Sequence, residues 1–278
     1  MDTVFAAAVT YPELRAQFGQ RAADYRNAAP FPHAVFHGLF DPTVLRAAAA
    51  EFAPPAAMHL QYDNPYELKS GESRWEKFGP ATTAIVHACN SGPFVELLEA
   101  LTGIAGLIPD PHLVGGGQHQ IAPGGMLKIH FDHDRHDRLD LERRVNAILF
   151  LNDDWREEWG GALEFWDAAM TTAVQRISPD LNTLVIFSTT RAAHHGHPEP
   201  LRCPPDRSRR SLAFYYYTSG PPPRPAIPHT ARFRRRPEVD AREPFRTRLR
   251  ESARLVRVAI SPLVPDAIKR RVRSLRRR

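Results

Sequence analysis

Gly124-Gly125-Met126-Leu127-Lys128-Ile129-His130-Phe131-Asp132 is a glycine turn running into a short strand. Side chains on a strand alternate between faces, so His130 and Asp132 point the same way. Lys128 falls on that face too. An imidazole and a carboxylate converging on one point are two thirds of a 2-His-1-carboxylate metal site. Such a site suits non-haem Fe(II) and leaves coordination positions open.

A second histidine would have to come from a strand that returns beside the first. Asn182-Thr183-Leu184-Val185-Ile186-Phe187-Ser188 is such a strand, and Arg191-Ala192-Ala193-His194-His195-Gly196-His197-Pro198 follows it. Of these histidines His195 is the expected ligand, His197 the fallback, and His194 points the other way. The next strand begins Arg209-Arg210-Ser211-Leu212-Ala213-Phe214-Tyr215-Tyr216-Tyr217. Alternation puts Arg209, Ser211, Ala213, Tyr215 and Tyr217 on one face. A guanidinium turned inward is costly without an anion. Arg209 is therefore read as a bidentate anchor for a cosubstrate carboxylate, with Ser211 beside it.

Outward from this centre the chain changes character. Thr10-Tyr11-Pro12-Glu13 fits a capping box opening a helix to about residue 28. A strand over 31–40 and a helix after Asp41-Pro42 follow. Residues 57–80 are polar and read as a loop near an active-site mouth. A helix follows near 81–89. Another has Phe94, Leu97, Leu98 and Leu101 at helical spacing and ends at Gly103. Beyond it short strands dominate, at 126–132, 145–151, 163–166, 183–188 and 211–217, with Gly- and Pro-rich turns between them.

Residues 221–278 hold 18 Arg and Lys against 5 Asp and Glu, a net of +13. The whole chain is +6, so residues 1–220 carry 6 − 13 = −7. The basicity belongs to a tail, and nucleic acid is not an expected partner of the body. Residues 220–244 read as a linker and 246–260 as a basic amphipathic helix suited to peripheral contact with an anionic membrane. Two cysteines without a CxxC exclude a disulfide framework and a thiolate zinc site. No apolar stretch is long enough for a membrane span, and no signal peptide is evident. A cytoplasmic location is expected, membrane-peripheral if the tail binds lipid. Nothing in the sequence fixes the oligomeric state.

The ordered set His130-x-Asp132, His195 and Arg209-x-Ser211 resembles the Fe(II)/2-oxoglutarate-dependent dioxygenases, in their prolyl 4-hydroxylase-like branch. Arg143-Arg144-Val145-Asn146-Ala147-Ile148-Leu149-Phe150-Leu151-Asn152-Asp153-Asp154-Trp155 and Trp159-Gly160-Gly161-Ala162-Leu163-Glu164-Phe165-Trp166 extend the likeness to about 115–218. The resemblance implies a mainly β chain with α support: a double-stranded β-helix (jelly roll, cupin-like) with N-terminal helices packed on it. The expected domain covers 1–220, with helical support over 1–104, a core over 105–220 and a basic tail over 221–278. It further implies Fe(II) on His130, Asp132 and His195, and 2-oxoglutarate anchored by Arg209 and Ser211. O2 is the second cosubstrate, and ascorbate a candidate reductant. Succinate and CO2 leave as a C–H bond of the substrate is hydroxylated. The branch often has a tyrosine where Phe150 stands, and Lys128 is expected to replace the missing hydrogen bond.

Two other classes compete: a non-redox metal-binding jelly roll, either isomerase or binding module, and an inactive scaffold acting through its tail. The first has no need for an inward Arg209. The substrate, a peptidyl residue or a small biosynthetic molecule, is not named by any motif. His119, His133 and His136 flank the site.

Overall fold

The computed structural model describes residues 4–5, 10–136, 138–219, 232–237 and 239–240. The chain divides into two compact units, residues 1–235 and 236–278. The first unit opens with α1 (Tyr11–Gln20) and α2 (Ala22–Asn27), then β1 (His33–His37) and α3 (Pro42–Ala50). The hairpin β2 (Leu60–Asn64) and β3 (Glu67–Glu72) precedes α4 (Pro80–Cys89) and α5 (Gly92–Thr102). The remaining strands are β4 (Ile108–Pro109), β5 (Gly117–Ile121), β6 (Met126–Phe131), β7 (Leu141–Phe150), β8 (Leu163–Trp166), β9 (Ala173–Ile177), β10 (Thr183–Ser188), β11 (His195–His197), β12 (Arg209–Ser219) and β13 (Arg232–Phe233).

The strands form an antiparallel jelly roll in the order β1-β10-β7-β12-β5-β3-β6-β11-β8-β9. Period-two patterning splits its core in two. Val145, Ala147 and Leu149 of β7, Leu184 and Ile186 of β10, and Leu212, Phe214 and Tyr216 of β12 face the helices. There they meet Phe18, Leu45, Ile85, Phe94 and Leu97. The alternate residues, Phe150 of β7 with Val185 and Phe187 of β10, turn into the roll with Phe31 and Phe165. Each fully buried side chain of this size contributes roughly 1.5–3 kcal/mol. The helices thus hold one face of the sheet, and the other face is left to build a site.

Local signals set the helix ends. Thr10 and Glu13 form the expected capping box. Asp41 Oδ1 accepts from the Thr43 amide at 2.7 Å. Gly103 closes α5 at φ +73°, a left-handed conformation that glycine adopts freely. The helix expected to run unbroken to residue 28 stops at Gln20 and restarts at Ala22.

Two expectations need correcting. Residues 57–80 are not an irregular loop: β2 and β3 pair over five residue positions, and β3 bridges β5 and β6. The first unit also runs past the boundary expected at 220, because Arg232 and Phe233 pair with Phe131 and His130 of β6. In the second unit Arg236 and Asp240 are joined at 2.8 Å. The expected helix over 246–260 and the charge run at the C-terminus lie outside the described residues. No described helix is long and apolar enough to cross a membrane.

Candidate active site

The inward faces of the strands enclose one cavity. It is lined by Lys69, His119, Ile121, Leu127, His130, Asp132, Arg143, Asn146, Ile148, Leu163, His195, His197, Arg209, Ser211, Ala213 and Tyr215. His195 pairs directly with His130 across β6 and β11. One ligand atom from each of His130, Asp132 and His195 lies within 4.8 Å of the others. Nε2 of His130 is 3.6 Å from Asp132 Oδ1, and Nε2 of His195 is 3.5 Å from Asp132 Oδ2.

The backbone fixes how these rings present themselves. His130 Nδ1 lies 2.9 Å from the Lys128 carbonyl, and His195 Nδ1 lies 2.8 Å from the Ala193 carbonyl. A carbonyl only accepts, so each Nδ1 carries the proton and each Nε2 turns a lone pair toward Asp132. Burial pushes His195 down to about 4, against the pull of Asp132, so its ring is neutral near pH 7. Two imidazole lone pairs and a carboxylate oxygen are a donor set that fits a divalent transition metal.

Asp132 is held from behind. Burial opposes its ionisation, but Arg143 and then His195 outweigh that and keep the carboxyl well below the usual carboxylate range. Asn146 Nδ2 donates to Asp132 Oδ2 at 2.6 Å, and Arg143 Nη2 lies 3.4 Å from the same oxygen. Arg143 Nε donates to Asn146 Oδ1 at 2.7 Å, and its Cζ sits 3.4 Å above the centre of the Tyr215 ring. Arg143 and Asn146 are three residues apart on a strand, yet face one way. The β7–β12 register shifts between Tyr216 and Tyr217, and that bulge brings Arg143 round. Strand spacing alone assigns neither residue a role at Asp132. β7 carries four polar side chains, Glu142, Arg143, Arg144 and Asn146, and nothing in their order marks which two turn inward.

At another wall of the cavity Arg209 is 5% exposed. Its Nε donates to the Gly161 carbonyl at 2.7 Å, and its Cζ lies 4.7 Å from the centre of the Phe150 ring. No carboxylate among the described residues pairs with it, and burial alone pulls its pKa down to about 9. Gly161 makes room for this contact. A Cβ there would fall 3.1 Å from Arg209 Cδ and 2.6 Å from Leu201 Cδ2, at a φ of +78°. Ser211 lies on the same face two residues on, and its hydroxyl makes no hydrogen bond among the described residues.

Lys128 does not line this cavity, whereas Leu127 does. The expectation that it shares His130's face fails at a bulge. His195 pairs with His130 but His197 pairs with Leu127, so β6 spends one more residue than β11 over this interval. The extra residue reverses the alternation. The lysine that does face the cavity is Lys69 of β3, 3.5 Å from Glu67 and over the Tyr62 ring. Of the flanking histidines, His119 lines the cavity with Nε2 3.0 Å from the Gly115 carbonyl. His133 lies beside Arg143, and His136 is turned to Asp110 at 3.1 Å. His194 points to the Asp167 carbonyl, away from the other two.

A separate cleft of about 370 Å³ reaches Asp132 and Arg143. It is lined by Asp134, Glu142, Arg144, Arg191 and the run Ser188, Thr189, Thr190, with Pro32 and Ile104 as its apolar residues.

Residues 117–217 match the family model of the 2OG-Fe(II) oxygenase superfamily. No curated protein matches the sequence. Among solved structures, a prolyl-4-hydroxylase from Pseudomonas putida is 21% identical, with a TM-score of 0.51 over 73% of this chain and 100% of its own. A prolyl hydroxylase from Trichoplax adhaerens was solved with a hypoxia inducible factor oxygen degradation domain peptide fragment. It is 14% identical, with a TM-score of 0.53 over 78% of this chain and 96% of its own. A prolyl 4-hydroxylase from Phytophthora capsici is 16% identical, with a TM-score of 0.51 over 78% and 68%. The chain thus shares its jelly-roll fold with solved prolyl 4-hydroxylases, and its residues 117–217 match the 2OG-Fe(II) oxygenase superfamily model.

Proposed function

We propose that the chain is an Fe(II)- and 2-oxoglutarate-dependent oxygenase that hydroxylates a C–H bond. In the overall balance R–H, O2 and 2-oxoglutarate give R–OH, succinate and CO2, with one oxygen atom in each of the alcohol and the new succinate carboxylate. His130, Asp132 and His195 would hold the iron, which when bound supplies the O2 activation that no side chain can. Arg209 and Ser211 would take the far carboxylate of the oxo acid. Arg143 and Asn146 keep Asp132 ionised and aimed. O2 is the oxidant and ascorbate a candidate accessory reductant.

The observation that carries this reading is Arg209. A buried guanidinium that spends one N–H on a carbonyl and has no carboxylate partner among the described residues calls for an anionic ligand. A metal-binding jelly roll doing isomerisation or simple binding has no use for it. The cleft beside Asp132 supports a polar small molecule over a prolyl side chain, because charged and hydroxylated residues dominate its lining. We further propose a cytoplasmic enzyme whose basic tail touches anionic membrane.

Anaerobic addition of Fe(II) and 2-oxoglutarate to the full chain should give a weak visible charge-transfer band. Admitting O2 should then yield succinate. Iron binding with neither band nor succinate rejects the proposal.

A further inference from the structure

His197 is a buried polar group with no visible task. It is 2% exposed, and neither ring nitrogen has a hydrogen-bond partner. It nevertheless lines the cavity that holds His130, His195 and Arg209. Buried polar atoms are nearly always paired, and an orphan in a native fold asks for an explanation. An apolar side chain at this position would fill the space without that cost. Two of the cavity's cations, Arg209 and Lys69, act on its ring. It does not belong to the convergent cluster of His130, Asp132 and His195.

Its place on the strand narrows what it meets. His195 and His197 lie two residues apart on β11, so their rings project to one side roughly 7 Å apart. Gly196, between them, is packed so closely that an added Cβ would lie 2.7 Å from the Leu127 carbonyl oxygen. The strand therefore presses against β6, and its two histidines turn inward. His197 lines the same cavity as the His130–Asp132–His195 cluster and Arg209, so an acid reaching from one to the other shares that space with its ring. Imidazole keeps at least one N–H donor whether neutral or charged.

We infer that His197 is a second anchor for the oxo acid, donating a ring N–H to a carboxylate oxygen of the acid bound at Arg209. This rests on the oxygenase reading above and adds to it a residue that fixes the acid along its length. His197 is a binding residue for the cosubstrate and not a ligand of the metal. Its orphaned donor is satisfied when the acid is present.

The test is a calorimetric titration of 2-oxoglutarate into the anaerobic Fe(II)-loaded full chain, with the charge-transfer band read in parallel. Wild type is compared with His197→Val, which removes the donor, and His197→Gln, which keeps one. Loss of a hydrogen bond to a charged group should weaken the acid about tenfold in His197→Val. His197→Gln should recover most of that, and iron affinity should stay within about twofold in both. Equal acid affinity in wild type and His197→Val overturns the inference. So does a loss of iron binding in place of acid binding. A wild-type chain that binds iron but neither takes up the acid nor shows the band rejects the oxygenase reading itself, and the His197 role with it. His197→Leu, which also lacks a donor, carries the same test if the valine variant does not fold.

Discussion

Arg209→Met should stabilise the ligand-free protein while abolishing its response to 2-oxoglutarate. Burial pulls the guanidinium from its ordinary value down to about 9. For a base depressed in the folded state, the penalty is complete below the folded value and vanishes only above the unfolded one. It is therefore in full force at pH 7. At about 1.4 kcal/mol per tenfold change in proton affinity, the penalty is about 5 kcal/mol. Against it stand the bond to the Gly161 carbonyl, about 1.5–3 kcal/mol for a charged donor, and the Phe150 stack, about 0.5–2 kcal/mol. Methionine fills much of the same volume, so the remainder, about 1.5 kcal/mol at mid-range, should appear as added stability. For a domain of this size that is a rise in Tm of about 3–6 °C. Differential scanning calorimetry of ligand-free wild type and Arg209→Met measures it. Added acid at a hundred times its Kd should raise wild-type stability by about 2.7 kcal/mol and leave the variant unmoved. A lower melting point in Arg209→Met would refute the reasoning, since it would mean the guanidinium is already well compensated. A variant that still responds to the acid would refute the anchor.

Asn146→Ala removes the 2.6 Å bond that aims Asp132, and should cost about 10–100-fold in metal affinity by chelator competition, with the circular dichroism unchanged. An unaltered affinity would show that Arg143 alone holds the carboxylate. Gly196→Ala would set a Cβ 2.7 Å from the Leu127 carbonyl and 2.9 Å from that of Lys128, backbone atoms that yield poorly. It should destabilise by about 1–3 kcal/mol, read as a lowered denaturation midpoint, and full stability would mean the β6–β11 bulge is softer than drawn. Burial, helped by Lys69, holds His119 at about 3, and burial holds His195 at about 4. Their neutral forms support the metal-free fold fully above the unfolded value near 6.5, and that support is lost as pH falls toward 4 and 3. At pH 5 each loss is about 2 kcal/mol. His119→Gln should flatten the stability curve between pH 7.5 and 5 by that amount, and a curve parallel to wild type would reject the assignment.

Alternation along a strand was enough to place Arg209, Ser211, Ala213 and Tyr215 in the cavity, because β12 is regular over that stretch. The same rule misplaced Lys128. One extra residue in β6 reverses the face, and neither composition nor periodicity announces a bulge that a partner strand imposes. The β2–β3 hairpin was hidden by its polarity: Gln61, Asp63, Asn64, Glu67 and Ser70 look like loop residues, yet the strand joins β5 to β6 and delivers Lys69. Arg143 and Asn146 belonged to a segment legible as a strand. Their common face depends on a register shift opposite β12 that only the paired structure reveals. Cavity residues contributed by regular strands could be read from spacing, and those contributed by irregular pairing could not.

The placement of charge gives the two ends of the cavity a common logic. Asp132 is matched by Arg143, and Lys69 by Glu67, so Arg209 leaves the protein groups at a net of +1 with the histidines neutral. A divalent cation at His130, Asp132 and His195 would raise that to +3, and a dianionic acid would return it to +1. Such a site favours the acid most when the metal is already in place. By linkage the acid must tighten the metal by the same factor. Titrating each partner with and without the other measures both factors, and a metal-free chain that binds the acid as tightly as the loaded one would contradict the charge argument. The unmatched Arg209 then has a second consequence. It keeps the metal-free cavity positive, which disfavours an entering cation, and the Asp132 carboxylate, held ionised by Arg143 and bonded by Asn146, must offset that repulsion at the metal site.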